Sequence, residues 1–502
     1  MRPENSPLQG TAWTPERLAN QSGRNKRTIE NWLKNQHLPK AGRWNGLEDA
    51  FFGSNQKYKT EWRIELRDAL ARTRRGAKPK ARNRKGRGQV APPEANVSLD
   101  LKQLKPMSLE RPLLQRIALA HYQKQATRGK DTPQPVTVTL SGIPHPLALL
   151  EIPDGIPKAL EPIAHLKLKW TDTANTPTAL IPNLPNMLRS EGFRCDDDPT
   201  YRLMSVCKKP SAKALELTFS NGRYDRFVDT CEALLWEFTN CVNGYYHNTL
   251  KGGSDILERS DQLVSGVDDI VAHSVLRQSV DPLDFGCRSC AVGVVALTVL
   301  AGARPKMILH RRGGKIAEGL NTIQGVPAGT FQPIMSGDFD RATELNIEFT
   351  VIREFAEELL GCAISHDLVT IDHDLDDILK MPEYEPINRL RGFFDKGHAK
   401  VYFLGIALDM LNLKPELMTL LVMNVKALAR IFPESRFRIL DRVTPGANNE
   451  GKPFMTDFSY EELQKYVVKR LEERLFSSAA GCIAVTAQHW QSVKAAVDEL
   501  SN

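Results

Sequence analysis

The sequence has no long apolar run, no fixed-period repeat and few cysteines for its length, and each absence narrows what the chain can be. Its longest apolar stretch, CAVGVVALTVLAGA (290–303), falls short of the ~20 residues that a membrane-spanning helix needs. The N-terminus lacks the apolar core of an export signal, so a cytoplasmic protein without a membrane partner is expected. The missing period argues against a solenoid. Eight scattered cysteines in 502 residues do not make a disulfide-stapled scaffold, and thiols are expected. Cys287 and Cys290 form one C-x-x-C with no second pair, short of what a structural zinc site uses.

What is present is the composition of a globular protein, 41% hydrophobic and 25% charged, in a chain too long for one ordinary core. A multidomain α/β protein is expected. Charge is unevenly divided. Residues 1–90 carry 21 Lys+Arg against 8 Asp+Glu, a net +13, while the other 412 residues carry 46 against 52, a net −6. That asymmetry points to a nucleic-acid-binding end joined to a separate body.

The basic end has helix–turn–helix punctuation. In WTPERLANQSGRNKRTIENWLKNQHLPK (13–40), Thr14 suits an N-cap and Pro15 the first helical position. Ser22-Gly23 supplies a turn. Ile29, Trp32 and Leu33 recur at i, i+3, i+4 and are expected to pack inward against Leu18. Arg24, Lys26, Arg27, Thr28 and Asn31 then stand at or near the start of the second helix, where a recognition helix meets base edges and phosphates. The same residues also suit a solvated basic face. The following segment, ARTRRGAKPKARNRKGRG (71–88), favours DNA. Arg72, Arg74, Arg75, Lys78, Lys80, Arg82, Arg84, Lys85 and Arg87 follow one another with no acid among them. Gly, Pro and this charge predict a disordered arm that neutralises phosphates without specifying sequence. The arm lacks the interleaved aromatics that stack on single-stranded bases, so double-stranded DNA is the expected partner.

The organisation predicted is an all-α helix–turn–helix domain over 1–72, a basic arm and Pro-containing linker over 73–112, a mixed α+β middle region over 113–285 and an α/β domain with a helical extension over 286–502. In the middle, PQPVTVTLSGIPHPLALLEI (133–152) alternates like strands. DRFVDTCEALLWEFTNCVNGYY (225–246) is an amphipathic helix, its stripe running from Phe227 to Val242. HSVLRQSVDPLDF (273–285) is predicted as a loop. Beyond it, CAVGVVALTVL (290–300) is a buried strand and KMILHRRGGKIAEG (306–319) a hairpin turning at Gly313-Gly314. LNIEFTVIREFAEELLG (345–361) is a helix, followed by strands KVYFLGIALDM (400–410) and MTLLVMNV (418–425).

Projected at about 100° per residue, Glu354, Glu357 and Glu358 lie within one arc. Ile352, Phe355, Ala356 and Leu359 lie on the core side, and Arg353 sits beside Glu357. Three clustered carboxylates repel one another. They are either the wet side of an ordinary amphipathic helix or ligands for a hard cation such as Mg²⁺, which activates water against a pyrophosphate.

The order strand, hairpin, VPAG (326–329), then a helix carrying REFAEE (353–358) resembles the Nudix hydrolase family, whose signature is G-x5-E-x7-R-E-U-x-E-E-x-G-U with U aliphatic. The resemblance covers roughly 285–430 and implies a C-terminal α/β/α sandwich acting on nucleoside diphosphate derivatives. It implies Glu357 and Glu358 as Mg²⁺ ligands, Glu354 as a further ligand or the base, Arg353 as a partner to a carboxylate, and Gly329 as the first glycine. Met335 stands where the signature has its first Glu counted from Gly329. Counted back from Arg353, that Glu falls on Leu345, with Glu344 one place away, and Gly361 comes one residue late. His310, Arg311 and Arg312 are candidate contacts for ligand phosphates, and Glu416 is a candidate supplementary base. IDHDLDD (371–377) lacks the spacing of a calcium loop.

As a whole the chain resembles bacterial regulators that join a helix–turn–helix to a Nudix-like domain. The expected function is DNA-binding transcription regulation governed by a nucleotide-derived small molecule, with the protein acting as a homodimer on paired half-sites. The alternative is a Mg²⁺-dependent pyrophosphohydrolase for which DNA binding is secondary.

Overall fold

A computed structural model describes residues 104–127, 134–140, 143–152, 155–172, 176–190, 195, 197–207, 214–249, 260–312, 322–333, 344–362, 379–432, 451–469 and 475–501. The chain divides into two units, and all described residues belong to the second, Ala95–Val369 with His373–Asn502. The helix–turn–helix reading, the basic arm, the Gly313-Gly314 turn and the IDHDLDD segment lie outside the described residues.

The unit is of mixed α/β class and is organised around a ten-stranded mixed sheet. Its main path runs β1 (Pro135–Leu140), β2 (Ile143–Glu151), β11 (Ala399–Asp409), β12 (Pro415–Asn424), β7 (Gly293–Ala301), β8 (Lys306–Arg312) and β13 (Gly451–Asp457). Three short strands branch from it: β3 (Glu161–Pro162) on β11, β9 (Ile323–Gly325) on β8 and β10 (Ala328–Thr330) on β7. β12 and β7 are parallel and the other pairs antiparallel. A second sheet orders β4 (Lys167–Trp170), β6 (Glu216–Arg223) and β5 (Pro199–Cys207). The main sheet takes strands from both sides of residue 285. β2 pairs with β11 across some 250 positions of chain, Leu150 opposite Leu408.

β7 is buried at every position, as the CAVGVVALTVL run predicts for a strand covered on both faces. Alternate residues feed two cores. Val294, Ala296 and Leu300 join one cluster with Val351 and Phe355. Val295, Leu297 and Val299 join the other with Ile483 and Val497. The first face carries α3 (Ile347–Leu360) and α4 (Glu385–Asp395). The second carries α6 (Tyr460–Lys469), α7 (Ser477–Gln488) and α8 (Trp490–Ser501). Helix α1 (Leu104–Thr127) runs through Pro112, and Arg111 near its middle pairs with buried Asp409 at 3.1 Å.

The stripe predicted for 225–246 is buried from Phe227 to Val242, although the helix is not uniform. A π segment, Val228–Glu232, interrupts it between Tyr224–Phe227 and α2 (Ala233–Thr249). There the Asp229 carbonyl accepts from the Leu180 and Ile181 N–H groups. The segment predicted as a loop over 273–285 holds a short helix, Val275–Ser279, because Glu237 on α2 caps it. The Glu237 carboxylate accepts from Ser274 Oγ and from the Leu276 and Arg277 N–H groups, satisfying donors that a helix start leaves unpaired.

Burial raises the Asp229 carboxyl to about 6 from an ordinary 3.8, with Asp225 adding to the rise and Arg226, at 3.2 Å, opposing it. A folded-state pKa above the unfolded one means that the folded protein holds the extra proton between about 4 and 6. Stability therefore falls as pH rises through that window. Asp229→Asn should gain stability relative to the parent protein as pH is raised from 4.5 to 7, read as the difference between urea-unfolding curves. A difference that does not vary with pH contradicts this assignment.

Candidate functional site

Helix α3 is placed by its caps. The Asn346 side chain accepts from the Phe349 N–H at 3.0 Å, and Gly361 ends the helix in the left-handed region at φ 70°. The sequence predicted these limits to within two residues. Ile352, Phe355, Ala356 and Leu359 are buried as projected. The glutamates depart from the projection, because the acidic side is not simply wet. Strand β10 covers it.

Arg353, 1% exposed, is the centre of the arrangement. Its Nη2 donates to Glu354 Oε1 at 2.6 Å, its Nη1 donates to the Gln332 carbonyl at 3.1 Å, and its Nε lies 3.8 Å from Glu357 Oε1. Burial alone would lower the Arg353 pKa. Glu354, Glu357 and Glu344 more than offset that, and the guanidinium is held charged. Glu344, which the sequence left one place off the signature, is buried here and contributes to the field at Arg353.

The other side of the cluster rests on β10. Glu358 Oε2 accepts from the Ala328 N–H at 3.1 Å. A side chain at Gly329 would land on the carboxylate of buried Glu354, so glycine lets the strand pass close to the acid. The VPAG segment thus meets the REFAEE face directly, and the Val326-Pro327 bond within it is cis.

The remaining predicted residues divide. His310 is buried on β8 opposite Gln324 of β9, and the Arg312 guanidinium bonds to the Gln324 side chain. Ile308, two residues before His310, joins the core that contains Phe355. His310 and Arg312 therefore share the α3 face of the sheet, and Arg311, exposed, points the other way. Glu416 does not reach the cluster. It pairs in register with Gly293 and lies where a Gly293 side chain would stand, whereas Gly329 pairs with Val294. Successive strand residues alternate faces, which puts Glu416 on the opposite face from Glu354, 3.6 Å from Lys414. Only the strand register reveals this.

The C-x-x-C pair is likewise divided, with Cys290 buried and Cys287 exposed. Burial opposes ionisation of Cys290, but the Cys231 thiol and the Arg288 and Arg202 guanidiniums bring it down to about 7.

A hard divalent cation takes six or more oxygens. The glutamates offer the right donor type. However, among the described residues no three acidic, histidine or cysteine side chains come together as a metal-holding group. Glu354 is committed to Arg353 and Glu358 to the Ala328 N–H. Glu357 Oε1 and Glu344 Oε1 are buried without a hydrogen-bond partner among the described residues, so part of the cluster has acceptor capacity to spare, and no chemical step is derived through a metal.

No protein-family model matches the chain, and no curated protein matches it. Among the described residues no helix is long and apolar enough to cross a membrane.

Proposed function

We propose that this protein is a DNA-binding transcription regulator whose Nudix-like domain senses a nucleotide-derived ligand. In this reading the two helical layers around the mixed sheet are a Nudix-like α/β/α sandwich, and the basic first 90 residues bind duplex DNA as a homodimer in the cytoplasm. The observation that carries it is the meeting of the two resembling motifs. Glu354 lies against Gly329 and Glu358 accepts from the Ala328 N–H. His310 and Arg312 on the same sheet face supply cationic and donor groups for phosphates.

Sensing is favoured over turnover because Glu354 and Glu358 already accept from the chain's own donors. A sensor needs only different affinities in its two states. The test is a set of nucleoside diphosphate derivatives, each followed by thermal shift and by product analysis with and without Mg²⁺. A ligand that raises the melting temperature and is recovered intact supports sensing.

The second reading, a Mg²⁺-dependent pyrophosphohydrolase, has one specific observation in its favour. Buried Glu344 acts on Arg353 from close to the position where the signature has its first Glu. It requires turnover that needs Mg²⁺ and is lost in Glu357→Gln and Glu358→Gln.

A further inference from the structure

Helix α4 and the short helix α5 (Val425–Ile431) flank a half-open cavity of about 260 Å³. Arg389, Lys396, His398 and Arg430 line it, with Phe393 and Ile431 as apolar wall, and among the described residues no carboxylate lines it. Two acids stand nearby. Glu385 pairs with Arg389 one turn back on α4, and Asp395 acts on Glu348 of α3. Among the described residues neither Lys396 nor Arg430 is paired with a carboxylate.

The plain alternative is that these cations only complement helix C-termini. Arg430 is in the last turn of α5, Lys396 caps α4, and Arg389 Nη1 donates to the Ile431 carbonyl at 3.1 Å. Each helix end carries about half a negative charge. Two such ends leave roughly one full positive charge over from Lys396 and Arg430, even with Arg389 neutralised by Glu385. The pocket therefore remains an attractive place for an anion.

A second cavity of about 310 Å³, lined by Leu360, Gly361, Cys362, Pro386 and Phe432, is built on the same helix α4 and on the residue that follows α5. Pro386 stands three residues before Arg389 on α4, one face of the helix, and Phe432 follows Ile431. A basic compartment beside an apolar one, of ligand-site dimensions when taken together, matches a molecule that is anionic at one end and non-polar at the other.

We propose that this pair of cavities binds a small organic phosphate, with its phosphate among Lys396, Arg430 and Arg389 and its non-polar part against Pro386 and Phe432. No residue of the Arg353 cluster lines either cavity, so this site stands or falls separately from the proposed function. The probes are phenyl phosphate, inorganic phosphate and phenol, titrated calorimetrically into the full-length protein. Phenyl phosphate should bind more tightly than inorganic phosphate, and phenol should not bind detectably. The exposed pair Lys396→Gln/Arg430→Gln should weaken phenyl phosphate at least about tenfold, the loss expected for removing charge-assisted hydrogen bonds, with an unchanged melting temperature. No saturable binding at millimolar phenyl phosphate overturns the proposal. So does a double variant that leaves phenyl phosphate binding intact while weakening duplex DNA, which makes the patch a backbone contact instead.

Discussion

Replacing Arg353 with methionine should lower the free energy of unfolding by about 3–5 kcal/mol, the range for removing one partner of a buried charge network. Arg353 is almost wholly buried and compensates Glu354, Glu357 and Glu344, of which Glu354 and Glu344 are themselves buried. Methionine fills much of the volume but leaves the carboxylates facing one another without a cation. Their pKa values should then rise in the folded state. By linkage, the variant should regain stability as pH falls toward about 5, where the acids take up protons. Adding Glu354→Gln should restore part of the loss, because one uncompensated charge is gone. Urea unfolding of the parent, the single and the double variant checks all three statements. A loss below about 1 kcal/mol for Arg353→Met would mean that the cluster is not held by this charge, since surface pairs contribute only that much.

Deleting residues 72–87 should flatten the salt dependence of duplex binding more than any single substitution in the chain. The segment carries nine cations and no acid. Each phosphate contact contributes about 0.9 to the slope of log K against log salt. If all nine are engaged, the slope falls by about 8; if half are, by about 4. Affinity at 50 mM salt should drop by orders of magnitude, and sequence preference should be retained, because phosphate contacts position without specifying. Titration of one duplex between about 50 and 200 mM salt measures this. An unchanged slope would remove the arm from the interface.

The parts of the site that obey local rules were legible. The limits of the glutamate helix and its Ile352–Phe355–Ala356–Leu359 stripe follow from helix chemistry over a dozen residues, and the structure keeps the stripe and moves the limits by no more than two residues. β7 was legible as an unbroken apolar run for the same reason. The burial of Arg353 and Glu354 was not, because a helical projection separates a wet side from a core side and has no place for a strand laid over the acids. That strand is three residues long, too short to announce itself, and Gly329 shows its purpose only once Glu354 is beside it. Glu416 illustrates the other gap. Its distance along the chain from the glutamate helix says nothing about which face it occupies, which the pairing with Gly293 decides. The union of β2 with β11 is a long-range pairing that no local pattern encodes, and Glu237 reaches forward to start a helix in a stretch that reads as loop.

The coupling of ligand and DNA is measured most directly by the affinity of the full-length protein for a duplex selected from a random pool, with and without each nucleoside diphosphate derivative that raises its melting temperature. A ligand that is sensed should change duplex affinity by about five-fold or more, the usual range of allosteric coupling, and should be recovered chemically intact in the presence of Mg²⁺. A ligand that is cleaved while duplex affinity stays constant would contradict the regulator and assign the glutamates of α3 to hydrolysis.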